Sequence, residues 1–181
     1  MTRKNICVLK NRIAKCAAAA VIAAGIGSVA GVSAYAQNAV TLTNSDSSLT
    51  QWAHIVQVAG LTQAGATNTV TVFAITNQGF DSVNKAYSNA LTSPGASGSP
   101  NFQRMQALVK SQAVFGLHPM SDFTEKMVTL TSAAGTPITV DASNPAHITI
   151  KTKYISGTIT GQPLVSSQAV IYPVDVDHVN Q

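Results

Sequence analysis

The sequence has few of the groups that carry most enzyme chemistry. Of its 181 residues only 10% are charged, and it has two cysteines, four histidines and seven acids. Cys7 and Cys16 both lie near the start, so residues 37–181 have no disulfide or thiol chemistry available. No GxGxxG motif and no phosphate-binding GxxxxGK[ST] motif occurs. These absences leave catalysis without support in the sequence.

Positive charge is concentrated at the start of the chain. Five of the eleven basic residues fall within the first 15, whereas all seven acids lie beyond residue 40. Residues 37–181 therefore carry six basic and seven acidic groups, a formal net charge of −1. This balance removes the main argument for nucleic-acid binding. With 45% hydrophobic residues, the sequence predicts one globular domain.

Residues 1–36 have the three parts of a secretory signal peptide. A basic start is followed by an apolar stretch from Ala17 to about Val32 and by Ala34-Tyr35-Ala36, an A-x-A cleavage site. We expect cleavage after Ala36 and a secreted or periplasmic protein with no stable membrane insertion. A membrane anchor is the alternative, but the stretch is shorter than the ~20 residues that a spanning helix needs. Lipid attachment at Cys16 is disfavoured because the apolar stretch follows that cysteine.

The mature part divides into a polar lead-in, residues 37–44, and one domain, residues 45–179. Its first half is mostly helical, with Trp52 expected in the core and Thr76 or Asn77 expected to cap a helix. The predicted elements are a helix from Leu49 that stops at Gly60, a strand over Thr69–Ala74, a helix with Phe80, Val83, Tyr87 and Leu91 on one face, and a helix that begins at Asn101 and carries Phe102, Met105, Leu108 and Val109.

The second half is rich in strands. Short β-branched runs alternate with glycine and proline, which predicts strands separated by turns. The predicted strands are Met127–Thr131, Ile138–Val140, His147–Tyr154, Thr158–Thr160 and Ala169–Val174. Helices followed by strands indicate the α+β class. The Pro-, Gly- and Ser-rich segment Thr92–Pro100 is predicted to be a mobile surface loop without core residues.

Three groups of residues are candidate sites. Gly95–Ser99 resembles a nucleophile elbow but lacks the second glycine and a preceding strand. His118 and Asp122 are four apart, yet Pro119 weakens the helical geometry that a ligand pair would need. The cluster from Asp175 to His178 is interpreted as surface charge. His118 is interpreted as a structural hydrogen-bonding residue, and the sequence predicts no catalytic, cofactor-binding or metal-binding residue and no cofactor.

Thr69–Phe80 has the sequence TVTVFAITNQGF. This segment closely resembles TVFAPTNxAF, the first signature of the fasciclin domain family, and other segments resemble further signatures of that family. Ala59–Leu61 reproduces the AGL of the leading helix, Phe115–His118 resembles the tyrosine-histidine motif, and Val170–Asp175 resembles the closing V-I-x-x-[IV]-D. Departures from the family pattern are Ile75 for proline, Leu117 for tyrosine, and Gln168-Ala169 for Asn-Gly.

The resemblance implies a β-wedge packed against a set of short helices. It also implies an exported, non-catalytic domain that mediates adhesion or protein interaction with cell-surface, matrix or envelope proteins or glycans. The matching residues Thr76, Asn77, His118 and Asp175 are expected to be mainly architectural. The alternative hypothesis is a periplasmic protein that binds a small molecule or ion, or a weak hydrolase, with His118 and the cluster from Asp175 to His178 as its candidates.

Overall fold

The computed structural model describes residues 34–59, 69–83 and 85–179. In this part of the chain, five α-helices and two 3-10 turns accompany an eight-stranded sheet. The helices are α1 (Ala34–Asn44), α2 (Thr50–Ala59), α3 (Asn77–Ser82), α4 (Lys85–Thr92) and α5 (Pro100–Ser111), and the 3-10 turns are Ser47–Leu49 and Met120–Asp122. The strands are β1 (Val70–Ile75), β2 (Ala113–Phe115), β3 (Met127–Thr131), β4 (Pro137–Asp141), β5 (Thr149–Lys151), β6 (Ile155–Ile159), β7 (Leu164–Val165) and β8 (Ala169–Val179).

The sheet runs in the order β2-β1-β8-β6-β5-β4-β3, and β7 pairs with β8 beside this path. Neighbouring strands are antiparallel except β1 and β8, which run parallel in register from Val70 opposite Ala169 to Ile75 opposite Val174. The two ends of the sheet approach each other where the main-chain N–H of Ala133 donates to the oxygen of Ala113 at 2.7 Å. The sheet is therefore a nearly closed wedge, and the predicted α+β class is confirmed.

Strand β1 lies at the centre of the core. All six of its residues are buried, because its two edges pair with β2 and β8 and the core encloses both faces. The predicted core position of Trp52 is confirmed, since its side chain is fully buried and its ring lies 6.4 Å from that of Phe80. Phe73 belongs to the same buried cluster.

Strand β8 continues past the predicted end at Val174 to Val179. The prediction stopped early because Pro173 usually marks a strand end. In the structure Pro173 lies where β8 exchanges one neighbour for another: β7 pairs with residues 170–171, and β6 pairs with residues 174–179. The main-chain oxygen of Pro173 accepts from the N–H of Thr160 at 2.9 Å. Pro173 therefore lies at the point where the neighbour of β8 changes from β7 to β6, and the strand continues through it.

The helical half differs from the predictions in two places. The helix predicted through Phe80 and Leu91 is divided into α3 and α4, because Val83 at the end of α3 has an extended backbone. The segment predicted as a polar lead-in is the later part of α1, and Ala39 and Thr43 in it are buried. Thr43 stays buried because its hydroxyl donates to the main-chain oxygen of Ala39 at 2.9 Å.

The segment from Thr92 to Pro100 contains more structure than predicted. Pro94 is buried, and its oxygen accepts a hydrogen bond from the hydroxyl of Ser99 at 2.7 Å. Ser99 also caps α5 by accepting from the N–H of Phe102 at 3.1 Å. The prediction that this loop lacks core residues is therefore wrong at Pro94, and only residues 95–98 within it form an uninterrupted exposed stretch.

Among the predicted strands, β3 has the predicted bounds and β4 extends one residue further at each end. The run His147–Tyr154 yields only the three residues of β5, and β6 begins at Ile155. β2 and β7 were missed because they have three and two residues, too few to show an alternating pattern. The predicted stop at Gly60 and the signal-peptide residues 1–33 lie outside the described residues.

Candidate functional site

Thr76 and Asp175 form the first polar corner of the fold. Thr76 follows β1 directly and caps α3, because its hydroxyl oxygen accepts from the N–H of Gly79 at 2.9 Å. The same hydroxyl donates to Oδ1 of Asp175 on β8. The close approach of α3 to β8 needs a residue without a side chain, since a Cβ on Gly79 would lie 3.0 Å from the main-chain nitrogen of Val176. The predicted cap is confirmed, and both polar groups serve the joint between α3 and β8.

Asn77 joins the start of α2 to the start of α3. Its Oδ1 accepts from the N–H of Gln51 at 3.0 Å, and its Nδ2 donates to the main-chain oxygen of Ser47 at 2.9 Å. The amide group therefore pairs one N–H of the first turn of α2, which that helix leaves without an internal partner, and one oxygen of the 3-10 turn before it. This role is architectural.

A shallow cleft of about 250 Å³ opens beside the Thr76–Asp175 corner. It is lined by Asp46, Ser48, Thr76, Gln78, Thr160, Gly161, Gln162, Pro173 and Asp175. Two carboxylates and several hydroxyl and amide groups thus share one small space. Asp175 could be noticed in the sequence, but the cleft could not. The other polar residues that line the cleft come from three distant segments: the turn before α2, the start of α3 and the β6–β7 turn.

His118 occupies a second polar corner, after β2. Its main-chain N–H donates to the hydroxyl of Thr71 at 2.9 Å, and this hydroxyl donates in turn to the oxygen of Gly116 at 2.9 Å. The main-chain oxygen of His118 accepts from the hydroxyl of Tyr172 at 2.8 Å. Both main-chain groups of His118 are therefore used within the fold.

The imidazole of His118 lies against Asp122, with 3.3 Å between Nδ1 and Oδ2. Pro119 was expected to weaken the geometry for this pair. That expectation is wrong, because Pro119 caps the 3-10 turn Met120–Asp122, which returns Asp122 to His118 without an α-helix. The side chains are 26% and 45% exposed, so the pair lies at the surface and solvent weakens its attraction.

An aromatic cluster lies beneath the His118 corner. The ring of Tyr172 stacks on Phe73 at 5.5 Å between centroids and meets the edge of Phe123 at 5.8 Å. Burial, together with a smaller contribution from the charge of Asp122, raises the pKa of Tyr172 to about 12. Tyr172 is therefore a neutral hydrogen-bond donor at physiological pH. In the sequence Tyr172 is recognisable only as part of the closing motif, and no local pattern identifies the main-chain oxygen of His118 as its partner.

The cluster from Asp175 to His178 does not converge on one site. Asp175 turns toward Thr76, whereas Asp177 accepts from the hydroxyl of Thr158 at 3.0 Å and is exposed. His178 follows it in the strand, so its side chain points to the opposite face. Within residues 34–59, 69–83 and 85–179, no group of three histidine, cysteine, aspartate or glutamate residues could hold a metal ion.

Gly95–Ser99, the weak nucleophile-elbow resemblance, forms a turn that ends at the cap of α5, and no strand directly precedes it. None of the described helices combines the length and the apolar character needed to cross a membrane.

These features define an α+β domain in which a β-wedge packs against short helices and the signature polar residues bond within the fold. The sequence model of the Fasciclin domain matches residues 47–176, and the chain belongs to the fasciclin domain family. Members of this family are associated with adhesion or protein interaction, are generally non-catalytic and are typically extracellular or secreted.

The fold is similar to that of the FAS1 domain pair of the insect cell adhesion molecule Fasciclin I. The TM-score is 0.50 with 13% sequence identity, and the match covers 80% of this chain and 45% of that chain. The chain thus spans less than half of that domain pair, and the likeness concerns the fold alone. The sequence has no significant match among curated proteins.

Proposed function

We propose that the protein is exported, loses residues 1–36 and acts as a non-catalytic adhesion or protein-interaction domain at the cell envelope or extracellular surface. Its partners would be cell-surface, matrix or envelope proteins or glycans. The family membership supports the class of function, and the basic start, apolar stretch and A-x-A site support export.

The proposal is supported by the hydrogen bonds that the polar signature residues make within the fold. Thr76, Asn77 and Asp175 form bonds that connect α2, α3 and β8, and the main chain of His118 connects β1 with β8. These bonds give the signature residues a role in stabilising the fold, although Thr76 and Asp175 also line the open cleft. Binding is then expected at exposed surfaces, as is common for loops on a rigid scaffold.

The exposed tip of the loop before α5 is one such surface. Residues 95–98 are exposed and uncharged, whereas Pro94 and Ser99 on either side hold the loop against α5. Contact there would depend on shape and hydrogen bonding. Because residues 37–181 have a net charge of only −1, binding should be only mildly dependent on salt.

Export is tested by the mass of the intact protein isolated from its host. The expected species begins at Gln37, which keeps residues 37–44 of α1 and hence the buried Ala39. A species that retains Cys16 with a lipid would contradict the proposed cleavage.

Adhesion is tested by the binding of the labelled protein to envelope material from its host. A double variant, Ala96→Glu with Ser97→Glu, places charge on the loop tip and spares Pro94 and Ser99. If this tip contacts the partner, binding should fall while the melting temperature stays within a few degrees of the wild type. Glu substitutions at Gln57 and Val58, which are exposed on α2, provide a matched control on another surface.

The alternative, a protein that binds a small molecule or ion, is favoured by one observation: Asp175 lines the polar cleft of about 250 Å³. Such a ligand would compete for the carboxylate that Thr76 now bonds. Calorimetric titration of the protein with divalent cations and small sugars tests it. Saturable binding that is lost in Asp46→Asn would support this alternative.

A further inference from the structure

Strand β3 is an edge of the sheet that lacks the usual protection from Met127 to Thr131. The chain covers this edge only beyond the strand, where the N–H of Ala133 donates to the oxygen of Ala113. β3 pairs only with β4, in unbroken register from Met127 opposite Asp141 to Thr131 opposite Pro137. Exposed edges in natural proteins are commonly blocked by a charged residue, a proline or a bulge. The sequence of β3, Met-Val-Thr-Leu-Thr, contains no charge and no proline, and its ladder has no bulge.

The hydrogen bonds at the ends of β3 show which main-chain groups face outward. The N–H of Ala142 donates to the oxygen of Lys126 at 3.0 Å, and the N–H of Ser132 donates to the oxygen of Thr136 at 2.8 Å. Antiparallel pairs alternate between bonded and non-bonded positions, so Val128 and Leu130 bond to β4. The main-chain groups of Met127, Thr129 and Thr131 therefore point away from β4, and no other described residue bonds to them.

The two faces of β3 differ in burial and in polarity. Val128 and Leu130 are half-buried and pack against the core on the inner face. Met127, Thr129 and Thr131 are exposed on the outer face, Met127 to 62%. The main-chain groups at this edge have no partner. On one side of them lies an apolar face that is partly covered by the core, and on the other an uncharged face that is exposed to solvent.

We propose that β3 pairs antiparallel with β3 of a second copy of this chain, with the two-fold axis at Thr129. In this register Thr129 lies opposite its own equivalent, Met127 opposite Thr131, and Val128 opposite Leu130. The three outward positions of each strand then face those of the other, which gives about six main-chain hydrogen bonds. The inner apolar face continues across the axis, and the two sheets become one.

A second copy is the occupant because the strand is complementary to itself. The pairing is confined to residues 127–131, because Glu125 with φ 56° lies outside the strand and the edge at Ala133 is taken by the oxygen of Ala113. Lys126 then falls opposite Ser132, so no like charges meet across the axis. The net charge of −1 over residues 37–181 gives little repulsion between copies. A two-fold dimer with the same patch on both subunits is the commonest symmetric assembly. This dimer does not depend on the proposed adhesion, since the loop tip and β3 are separate surfaces.

The test measures the dimer dissociation constant of the protein isolated from its host, by sedimentation equilibrium. Thr129→Pro removes the outward N–H and no bond to β4, so the dissociation constant of the dimer should rise by roughly tenfold or more. Thr129→Lys and Thr129→Glu each place like charges on the axis and should weaken the dimer by up to about fivefold. An equal mixture of these two variants should form the tightest dimer of the charged set.

Thr149→Lys is the matched control, because Thr149 lies on β5, between β4 and β6, and has no free edge. It should leave the dissociation constant unchanged. A wild type that stays monomeric near 1 mM, or a dimer indifferent to all Thr129 variants, would overturn the proposal. A different protein that is bound to the isolated chain and is released by Thr129→Pro would also overturn it, in favour of that partner.

Discussion

The hydroxyl of Tyr172 donates to the main-chain oxygen of His118, 54 residues earlier in the chain, at 2.8 Å. This bond connects the long strand β8 with the segment that follows β2. Tyr172 is fully buried and its ring lies between those of Phe73 and Phe123. The bond therefore satisfies two polar groups beside an aromatic cluster, and it requires the neutral form of the tyrosine.

Stability should fall at high pH because of Tyr172. Its pKa is about 12 in the folded protein and about 10 in the unfolded chain. Between these values the unfolded chain loses the proton first, so the stabilisation that is complete below pH 10 is lost as the pH rises toward 12. The expected loss is on the order of 2–3 kcal/mol, measured by urea unfolding at pH 9 to 12.

Tyr172→Phe isolates this contribution from those of the other titrating groups. At pH 7 it should cost about 1–2 kcal/mol, because the oxygen of His118 loses its donor. Above pH 10 the difference between variant and wild type should shrink or reverse. Tyr154→Phe, at a half-buried tyrosine between β5 and β6, serves as the control. Parallel curves for wild type and Tyr172→Phe would contradict the prediction.

Removal of the Thr76 hydroxyl should destabilise the domain. Thr76→Ala loses both the cap of α3 and the bond to Asp175, and we expect a cost of about 1–2 kcal/mol in chemical unfolding. Thr76→Ser keeps the hydroxyl and should retain most of the stability. In a double-mutant cycle with Asp175→Asn, the effects should be non-additive by at least ~0.5 kcal/mol. Strict additivity would show that the two side chains act independently.

Trp52 and Phe73 should each be large contributors to core stability. Both are fully buried in one cluster, with Trp52 near Phe80 and Phe73 stacked on Tyr172. Trp52→Ala or Phe73→Ala should cost on the order of 3–5 kcal/mol in denaturant unfolding. Gln57→Ala, exposed on α2, should change stability by less than ~0.5 kcal/mol. A cost below ~1 kcal/mol at both aromatic positions would refute the assigned core.

Gly157 should tolerate no side chain. It lies at the irregularity between β6 and β8, where an added Cβ would be 2.3 Å from the main-chain oxygen of Asp175. Gly157→Ala should therefore cost on the order of 3 kcal/mol. Gly135→Ala is the control: Gly135 has φ +74° in open space, so it carries only the backbone strain of about 1 kcal/mol. Equal costs would show that steric contact with β8 is not the cause.

The sequence predicted the elements whose evidence is local. The alternation in β1 and β3, the apolar spacing of α2 and α5, and the cap at Thr76 could each be recognised within about a dozen residues. The division of α3 from α4 could not, because it depends on the backbone of Val83 and not on apolar spacing. The return of Asp122 to His118 was missed because only an α-helix was considered for this spacing, whereas a single 3-10 turn after Pro119 also brings the two residues together.

Long-range relationships had no local signal. The bond between Tyr172 and His118 and the cleft beside Asp175 depend on which strands become neighbours, and this order comes from packing of the whole domain. The family signatures supplied part of that information, since they placed the first and last motifs in one known architecture. They did not show that β3 is an unprotected edge, because β3 lies outside every signature.

The parallel pairing of β1 with β8 determines when the domain can fold. Thr76 and Asp175, at the end of this pair, are 99 residues apart, so most of the chain must be present before β1 gains its second neighbour. β1 is made early in synthesis. Until β8 has been made, one edge of β1 has no partner strand and much of its apolar surface is not covered. Folding is then completed only after residue 179 has emerged, at the slow rate typical of distant strand pairs. The sheet is thus incomplete until its last strand has been made, so the domain reaches its final fold only at the end of this region's synthesis.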